Sequence, residues 1–492
     1  MAARGSFVLD MVRPLAALMP AVRRADRAVP FHRRMLYTGL SVSVFMVCSH
    51  LPLYGVRYAA SGADPLYWLR SILASNRGTL MEFGVGPVVT AGTVMQLLTA
   101  SKLIRVDKSV RRDRDLVDGA RKVLAVTIAL GEAAAYVLLG MYGPVGALNG
   151  ALIVLQLFSA SVLVVFLDEL LDKGYGLQGC SAVSLRKYSS STRVRLMSGG
   201  YLPRFLPNPR SVSLLSATNT CGKVFWQAFS PVTVNTGRGP EFEGIVLAVI
   251  HQAVVRAGNT RALVATMLRR HLPNVTNLLA TCLVLLTAIY LEGIRMLLPL
   301  QSRERRGRRV TFPIKLLYTS TTPIFLYSAM VSVLYMVSQL LHYSRFGGGV
   351  LGRLLGVWKE ASYAAVPVGG LAYYVTPPSS VAADPLHALI YTVLLLASCA
   401  LLSQFWVVTS GSSARDVARQ LADQRLAMPG RRDGATYEQL KRHIPTAAAV
   451  GGLCVGALSI FADMTGAIGS GTGIMLAATV VYNLVNSIQK ED

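Results

Sequence analysis

The chain has 492 residues, of which 52% are apolar and only 15% charged, against roughly a quarter charged in an ordinary soluble domain. Mean hydropathy is +0.46, and 49 basic against 25 acidic residues leave a formal net charge of +24. This composition excludes a string of soluble domains and describes a polytopic membrane protein whose basic residues sit in its loops.

The stretch Phe7 to Pro20 mixes Asp10, Arg13 and Pro14 into its apolar positions. It reads as a surface amphipathic helix and not as a cleavable signal. The first span is Met35–Tyr54, and Arg23, Arg24, Arg27, Arg33 and Arg34 before it place the N-terminus in the cytosol. A short helix follows. Asp64 caps it, Pro65 fits its first position, and Leu66, Leu69, Ile72 and Leu73 share one face. Asn76-Arg77-Gly78 stops it after about ten residues, roughly 15 Å at 1.5 Å per residue. That is half a bilayer. The next span, Val85–Leu103, is opened by Glu82 and interrupted by Gly84, Gly86 and Pro87. Broken helices of this kind survive at membrane depth only where they are buried in protein or line a wet cavity, so the stretch reads as the middle of a pore.

Further spans are expected at Val123–Met141, Val145–Leu167, Ser211–Phe229, Val275–Ile294, Ile314–Leu341, Leu386–Val408, Ile444–Ala462 and Ile468–Val485, giving ten crossings and a cytosolic C-terminus. Loop charge agrees with this topology: the basic runs in Lys102–Lys122, in Arg303–Arg309 and between Arg415 and Arg442 all fall on the side of the N-terminus. Two long polar stretches, Val232–His271 and Phe346–Asp384, face the other side, where Glu243–Val255 and Tyr363–Val375 read as interfacial or re-entrant pieces. The sequon Asn274-Val275-Thr276 abuts a span on that face and is expected to stay unmodified.

No phosphate-loop, metal or nucleophile motif is present, and the six cysteines and seven histidines show no ligand spacing. Neither catalysis nor a cofactor is expected. Gly469–Gly473 (GSGTG) has the composition of a phosphate loop but opens an apolar helix, so close helix packing or a backbone bend is its expected use. Glu132 stands in the middle of an apolar span, where a lipid-facing carboxylate costs about 2.5–3.5 kcal/mol or more. It reads either as an interior residue bonded to a neighbouring helix or as part of a polar seam between helices that part. The run Arg303–Arg309 fits anionic lipid headgroups or RNA phosphates equally well. Ser413-x-x-Asp416 reads as a capping box opening a helix that Pro429-Gly430 ends, with Arg415 and Arg419 on one face and Arg431-Arg432 at the tip. A presented basic helix suits a large anionic cytosolic partner.

At these residues the chain resembles the SecY family of protein-conducting channels, in its eukaryotic branch, the alpha subunit of the endoplasmic reticulum translocon. The matching stretches are ADPLYWLRSILASNRGTLMEFG, LDELLDKGYGL, AFSPVTVNTGRGPEFEG, PIKLLYTS, VPVGGLAYY, SGSSARDVARQL and RHIPTAAAVGGLCVGALSIFADMTGAIGSGTGI. The resemblance implies an all-α polytopic fold of ten transmembrane helices in two pseudo-symmetric five-helix halves, with a plug half-helix. Its organisation would be residues 1–177 (first four spans and plug), a basic insert at 178–210, the fifth span at 211–230, a lumenal loop at 231–274 and the C-terminal half at 275–492.

By matching stretches the resemblance places a plug on Asp64, Pro65, Leu66, Tyr67, Trp68, Leu69, Ile72 and Leu73. It places a pore ring on Val85, Val89, Val212, Ser216, Phe325 and Leu476, a lateral gate at Thr90, Glu132 and Val333, and ribosome contacts on Arg303, Arg305, Arg306, Arg308, Arg309, Arg415, Arg431 and Arg432. It further implies an endoplasmic reticulum location. The implied partners are small single-span beta and gamma subunits, the ribosome through its RNA, signal sequences and nascent chains, membrane lipid, and a post-translational motor or accessory subunit. The alternative class is a secondary transporter with a midplane site at the broken helix, for which Glu132 is the candidate group.

Three departures from the family pattern stand out. Gln178–Arg210, with six basic and no acidic residues, intervenes after GYGL, as a lineage insertion or a retained intron. Ser216 puts a hydroxyl into an otherwise apolar ring. In the gate, Glu132 replaces an amide and Val333 an asparagine; an apolar Val333 favours closure, whereas an ionised Glu132 favours wetting.

Overall fold

The computed structural model describes residues 29–56, 73–100, 111–138, 146–176, 210–235, 240–255, 272–302, 309–343, 349–361, 364–378, 384–423, 426–427 and 433–489, with positions 14, 19, 20, 22, 70, 142, 266, 267 and 269. The insert at 178–210 lies outside them except for Arg210, as do plug positions 64–69 and 72.

Helix α1 (Phe31–His50) shows how the chain solves the membrane problem. Its buried face is small and partly polar (Thr38, Ser41, Phe45 and Ser49), while Met35, Leu36, Leu40 and Val47 are exposed. Small residues let helices approach closely when lipid is as apolar as leucine, and the large apolar side chains turn outward. The hydroxyls of Thr38 and Ser41 donate to the carbonyls of Arg34 and Tyr37 on their own helix, so none faces hydrocarbon unpaired.

Helices α2 (Gly86–Ala100), α3 (Arg111–Leu138) and α4 (Ala147–Leu170) pack consecutively, and a π-type turn (Leu171–Tyr175) ends the series. Helix α5 (Arg210–Phe229) packs against that turn and against α1. The insert therefore joins two elements that touch, and its length need not span the fold.

The connection between α5 and α7 holds a hairpin, β1 (Thr233–Asn235) with β2 (Pro240–Phe242), and helix α6 (Ile245–Val255). Arg269, buried, knits it together by donating from Nη1 to Phe242 O (2.7 Å) and from Nη2 to Pro273 O (2.9 Å). Burial pulls the Arg269 guanidinium below its ordinary pKa, and the Glu241 carboxylate opposes this.

In the second half α7 (Val275–Gly293) leads into a hairpin, β3 (Arg295–Ser302) with β4 (Arg309–Lys315), and then into α8 (Thr322–Tyr343). A short helix α9 (Val350–Leu355), the hairpin β5 (Val357–Ala361) with β6 (Ala364–Gly369), and helix α10 (Leu371–Val375) follow α8. Helix α11 (Pro385–Thr409), α12 (Ala414–Asp423), strand β7 (Leu426–Ala427), α13 (Asp433–Met464) and α14 (Gly471–Ile488) complete the chain. Ser403 on α11 donates to Ala448 O on α13 (2.6 Å) and pairs with Thr319 (2.8 Å), fixing three segments at one buried point.

The architecture is mostly helical, but not all-α. The segment expected as the start of the seventh span, from Ile314, is strand: residues 309–315 pair with 295–302. Phe312 and Ile314 point inward beside Leu298 and Leu300, whereas Leu297, Pro299 and Thr311 are exposed, a period of two that hydropathy averaging conceals. The half of Tyr363–Val375 nearest its start is likewise strand, not a re-entrant helix. Helix α12 ends at Asp423, before Pro429-Gly430, because β7 turns the chain into the β3–β4 sheet (Ser302 opposite Leu426).

Among the described residues, four runs are long and apolar enough to cross a membrane: Ala147–Tyr175, Val275–Gly293, Pro385–Ala422 and Thr436–Met464. Ile245–Val254, Thr322–Tyr335 and Gly471–Asn486 are shorter apolar helices.

Candidate pore and plug seat

Where the two halves meet, one apolar cluster draws on seven segments. Leu73 and Ala74 come from the end of the half-helix, and Val85, Val88, Val89 and Ala91 from the start of α2. Ala125 of α3, Val164 of α4, Leu215 of α5 and Phe325 of α8 join them, with Phe45 of α1. Three expected ring residues, Val85, Val89 and Phe325, are thus brought together, and Leu73 of the expected plug lies among them. Val212 and Ser216 flank Leu215 on α5, but their side chains are outside the described set. Leu476 is half-buried on α14 and is not part of this cluster.

The end of the half-helix is seated by polar contacts that hydropathy does not reveal. Val85 N donates to Leu73 O (2.9 Å), joining the expected plug to the expected ring through the backbone. Gly84 makes that approach possible: its φ is +53°, and a Cβ there would lie 2.2 Å from Leu73 O. Glu82 does not open α2, which starts at Gly86; its carboxylate accepts from Arg70 Nη1 (2.9 Å) and from Gly78 N (2.8 Å). Arg70 is 7% exposed and Glu82 3%, so the pair is withdrawn from water. Ser75 Oγ donates to Glu82 O, and Asn76 Nδ2 to Ser49 O on α1 (3.3 Å). Burial, and next the Glu82 charge, push the Tyr142 hydroxyl up. A sequence signal for this seat existed: a lone arginine in an apolar half-span, followed twelve positions later by a glutamate at the edge of the next one.

The expected gate residues do not form a hydrogen-bonded cluster. Thr90 Oγ1 turns back to Gly86 O (3.0 Å) and Pro87 O (3.1 Å) on its own helix. Glu132 is half-buried on α3, and Val333 is 56% exposed on α8. Helix α2 touches α11, while the more extensive packing between early and late helices is that of α5 along α14.

On the opposite face the two basic connections share one body. Leu298, Leu300, Phe312, Ile314 and Tyr318 pack with Val417 and Leu421 of α12 and with Leu440 and Ile444 of α13. Tyr318 donates its hydroxyl to Ser412 O (2.9 Å) and is pushed up to about 12, chiefly by burial. Half of the capping box is seen: Ser413 Oγ accepts from Asp416 N (3.4 Å), while Asp416 Oδ2 takes the Ser413 hydroxyl proton (2.6 Å). Arg415 and Arg419 are both exposed on α12. Arg303, Arg305, Arg306, Arg308, Arg431 and Arg432 lie outside the described residues, and of Arg309 only the backbone, in β4, is described.

The GSGTG run serves packing. A Cβ on Gly471 would lie 2.8 Å from Ser459 Cα on α13, and one on Gly473 would lie 2.5 Å from Thr220 Oγ1 on α5. Asn274 is already committed as the cap of α7, with Oδ1 accepting from Asn277 N (3.0 Å) and Thr276 Oγ1 (2.6 Å).

Comparison with known proteins agrees with this geometry. The SecY family model matches residues 79–485, and the model for the plug domain of Sec61p matches residues 44–78. The chain is 47% identical over 491 residues to the protein transport protein Sec61 subunit alpha of Dictyostelium discoideum, covering 98% of this chain and 96% of that protein. It is similar to a solved structure described as a protein conducting channel, at TM-score 0.68 and 25% identity over 97% of this chain and 96% of that one. A canine Sec61 structure in a ribosome-channel complex from the endoplasmic reticulum matches at TM-score 0.67 and 25% identity, with the same coverage.

Proposed function

This chain belongs to the SecY family, and on that premise we propose how it works as the pore-forming subunit of the protein translocation channel of the endoplasmic reticulum membrane. The observation that carries the mechanism is the apolar cluster in which Val85, Val89 and Phe325 close on Leu73, with the plug tail hydrogen-bonded to Val85. Apolar side chains without fixed donors dewet when they close and yield around any chain that passes. The ring is completed by Val212, Ser216 and Leu476, and residues 64–73 fill the funnel above it.

Ten helices (α1 to α5, α7, α8, α11, α13 and α14) serve as the ten crossings, in two halves, with both termini cytosolic. The seam between α2–α3 and α8–α11 is the lateral gate, at which Thr90, Glu132 and Val333 sit. Signal sequences partition through it, and transmembrane segments leave by it into lipid. The channel does no chemistry of its own, so the driving force comes from a ribosome or an associated motor. The canine neighbour's complex supports ribosome docking, which the basic residues Arg303–Arg309, Arg415, Arg431 and Arg432 would perform through RNA phosphates. Small beta and gamma subunits complete the assembly.

The test is ion permeability of the reconstituted channel. Replacing Val85 and Val89 by Ser wets the ring and is expected to raise ion leak; unchanged leak would show that the seal lies elsewhere.

A further inference from the structure

At the cytosolic end of the α3–α4 pair a single carboxylate holds two lysines, each of which also grips the backbone ahead of α1. Glu169 Oε2 lies 2.6 Å from Lys122 Nζ, and its Oε1 lies 2.5 Å from Lys173 Nζ. Lys122 Nζ donates in addition to Pro20 O (3.3 Å), and Lys173 Nζ to Val22 O (2.7 Å). The side chains of Lys122, Glu169 and Lys173 are only 13%, 10% and 30% exposed.

The acceptors are carbonyls, so the grip does not depend on which side chains stand at 20 and 22. Three elements supply the donors and their anchor: α3, α4 and the π-type turn. Arg121 faces Asp168 beside them (3.6 Å), and Tyr175 of the turn packs edge-on against Tyr37 of α1 (5.6 Å). An ammonium carries three donors, so each lysine satisfies the carboxylate and still has hydrogens to give.

We propose that the chain at Pro20 and Val22 is a strap held to the cytosolic end of α3 and α4, buckled by Lys122 and Lys173 through Glu169, and that the buckle restrains α3 as the moving wall of the lateral gate. The second clause rests on the gate reading above; the first does not. With the strap closed, α3 is tied to α4 and to the lead of α1, and its cytosolic end yields only when all three move. Opening the buckle frees that end without touching the ring or the plug seat.

The test uses the full channel in sealed microsomes with an N-terminal epitope and an Arg4→Gln background, which removes the tryptic site ahead of the strap; Arg13 precedes Pro14 and resists trypsin. Limited trypsin cleaves after Arg23, Arg24 or Arg27, beside the strap. Lys173→Met and Glu169→Gln are expected to speed loss of the epitope at least fivefold, and Lys173→Arg to stay near the parent rate. Equal rates in all three variants would overturn the strap. In the same membranes, Lys173→Met is expected to raise passage of a reporter with a shortened signal core about threefold, with ribosome binding unchanged. Faster cleavage without that rise leaves the strap standing and overturns its role at the gate. Should the variants fail to accumulate, brief amine labelling of the parent channel decides: Lys122 and Lys173 should react at least fivefold more slowly than the exposed Lys441, and equal labelling refutes the buckle.

Discussion

Replacing Arg70 by Met should unseat the plug. The Arg70–Glu82 pair is 2.9 Å long, between residues 7% and 3% exposed. Removing one member of a buried pair costs about 3–5 kcal/mol, because the other is left charged and dry. Glu82 keeps the Gly78 N–H, so the lower end of that range applies. When the plug leaves, Glu82 meets water, and the penalty therefore falls on the closed state alone. About 3 kcal/mol is roughly a hundredfold shift toward open at ~1.4 kcal/mol per factor of ten. The assay is ion flux through proteoliposomes of the parent channel, Arg70→Met, Glu82→Gln and the double variant. Arg70→Met should leak most, and the double variant should leak less than Arg70→Met, since a neutral amide at 82 needs no counter-charge. Leak within twofold of the parent, or simple addition of the two single effects, would show that the Arg70–Glu82 pair does not hold the plug closed.

Gly84→Ala should also raise leak, because its Cβ would lie 2.2 Å from Leu73 O at a φ of +53°, whereas Gly86→Ala, which meets only Leu73 Cδ1 at 3.4 Å, should be nearly silent in the same flux assay. Asn274→Ala removes the α7 cap and should cost ~1 kcal/mol of stability in a thermal melt. Endoglycosidase treatment of the parent chain should leave its gel mobility unchanged, since both polar ends of Asn274 are engaged in the fold. Arg415→Glu together with Arg419→Glu should weaken ribosome binding, and the slope of log affinity against log salt should become shallower by roughly one per lost phosphate contact; an unchanged slope would remove α12 from the docking surface.

Hydropathy made the long helices legible, because a membrane demands apolar runs of a fixed length and little else. Every expected span contains a helix, but the ends differ: α3 begins at Arg111, not Val123, and α13 at Asp433, not Ile444, because a helix continues past the apolar run into charged residues, whereas α8 begins only at Thr322. The capping box at Ser413 and the packing role of GSGTG were readable for a local reason: spacing alone determines whether a hydroxyl reaches an amide three residues on, or whether two helices touch. The β3–β4 hairpin was not readable in this way. Its inward Leu298, Leu300, Phe312 and Ile314 alternate with outward residues that are also apolar, such as Leu297 and Pro299, so a window average sees a helix.

The site was half legible. Matching stretches located Val85, Val89 and Phe325, and the structure gathers them around Leu73. What the plug rests on was hidden. Arg70 reaches Glu82 only because the chain reverses between them, with Ala74 at φ +54° and Gly78 at φ +73°, and neither value follows from composition. The strap lysines were hidden for the same reason: Lys122 meets Glu169 from 47 positions away.

On the proposed mechanism, a polypeptide passes through the ring at Val89 and Phe325. A photo-crosslinking amino acid at either position, tested against a translocation intermediate stalled on its ribosome, examines it directly. Adducts to the stalled chain are expected from both positions and none from Leu283, which points outward on α7 and is 51% exposed. Adducts from Leu283 with none from Val89 or Phe325 would contradict it.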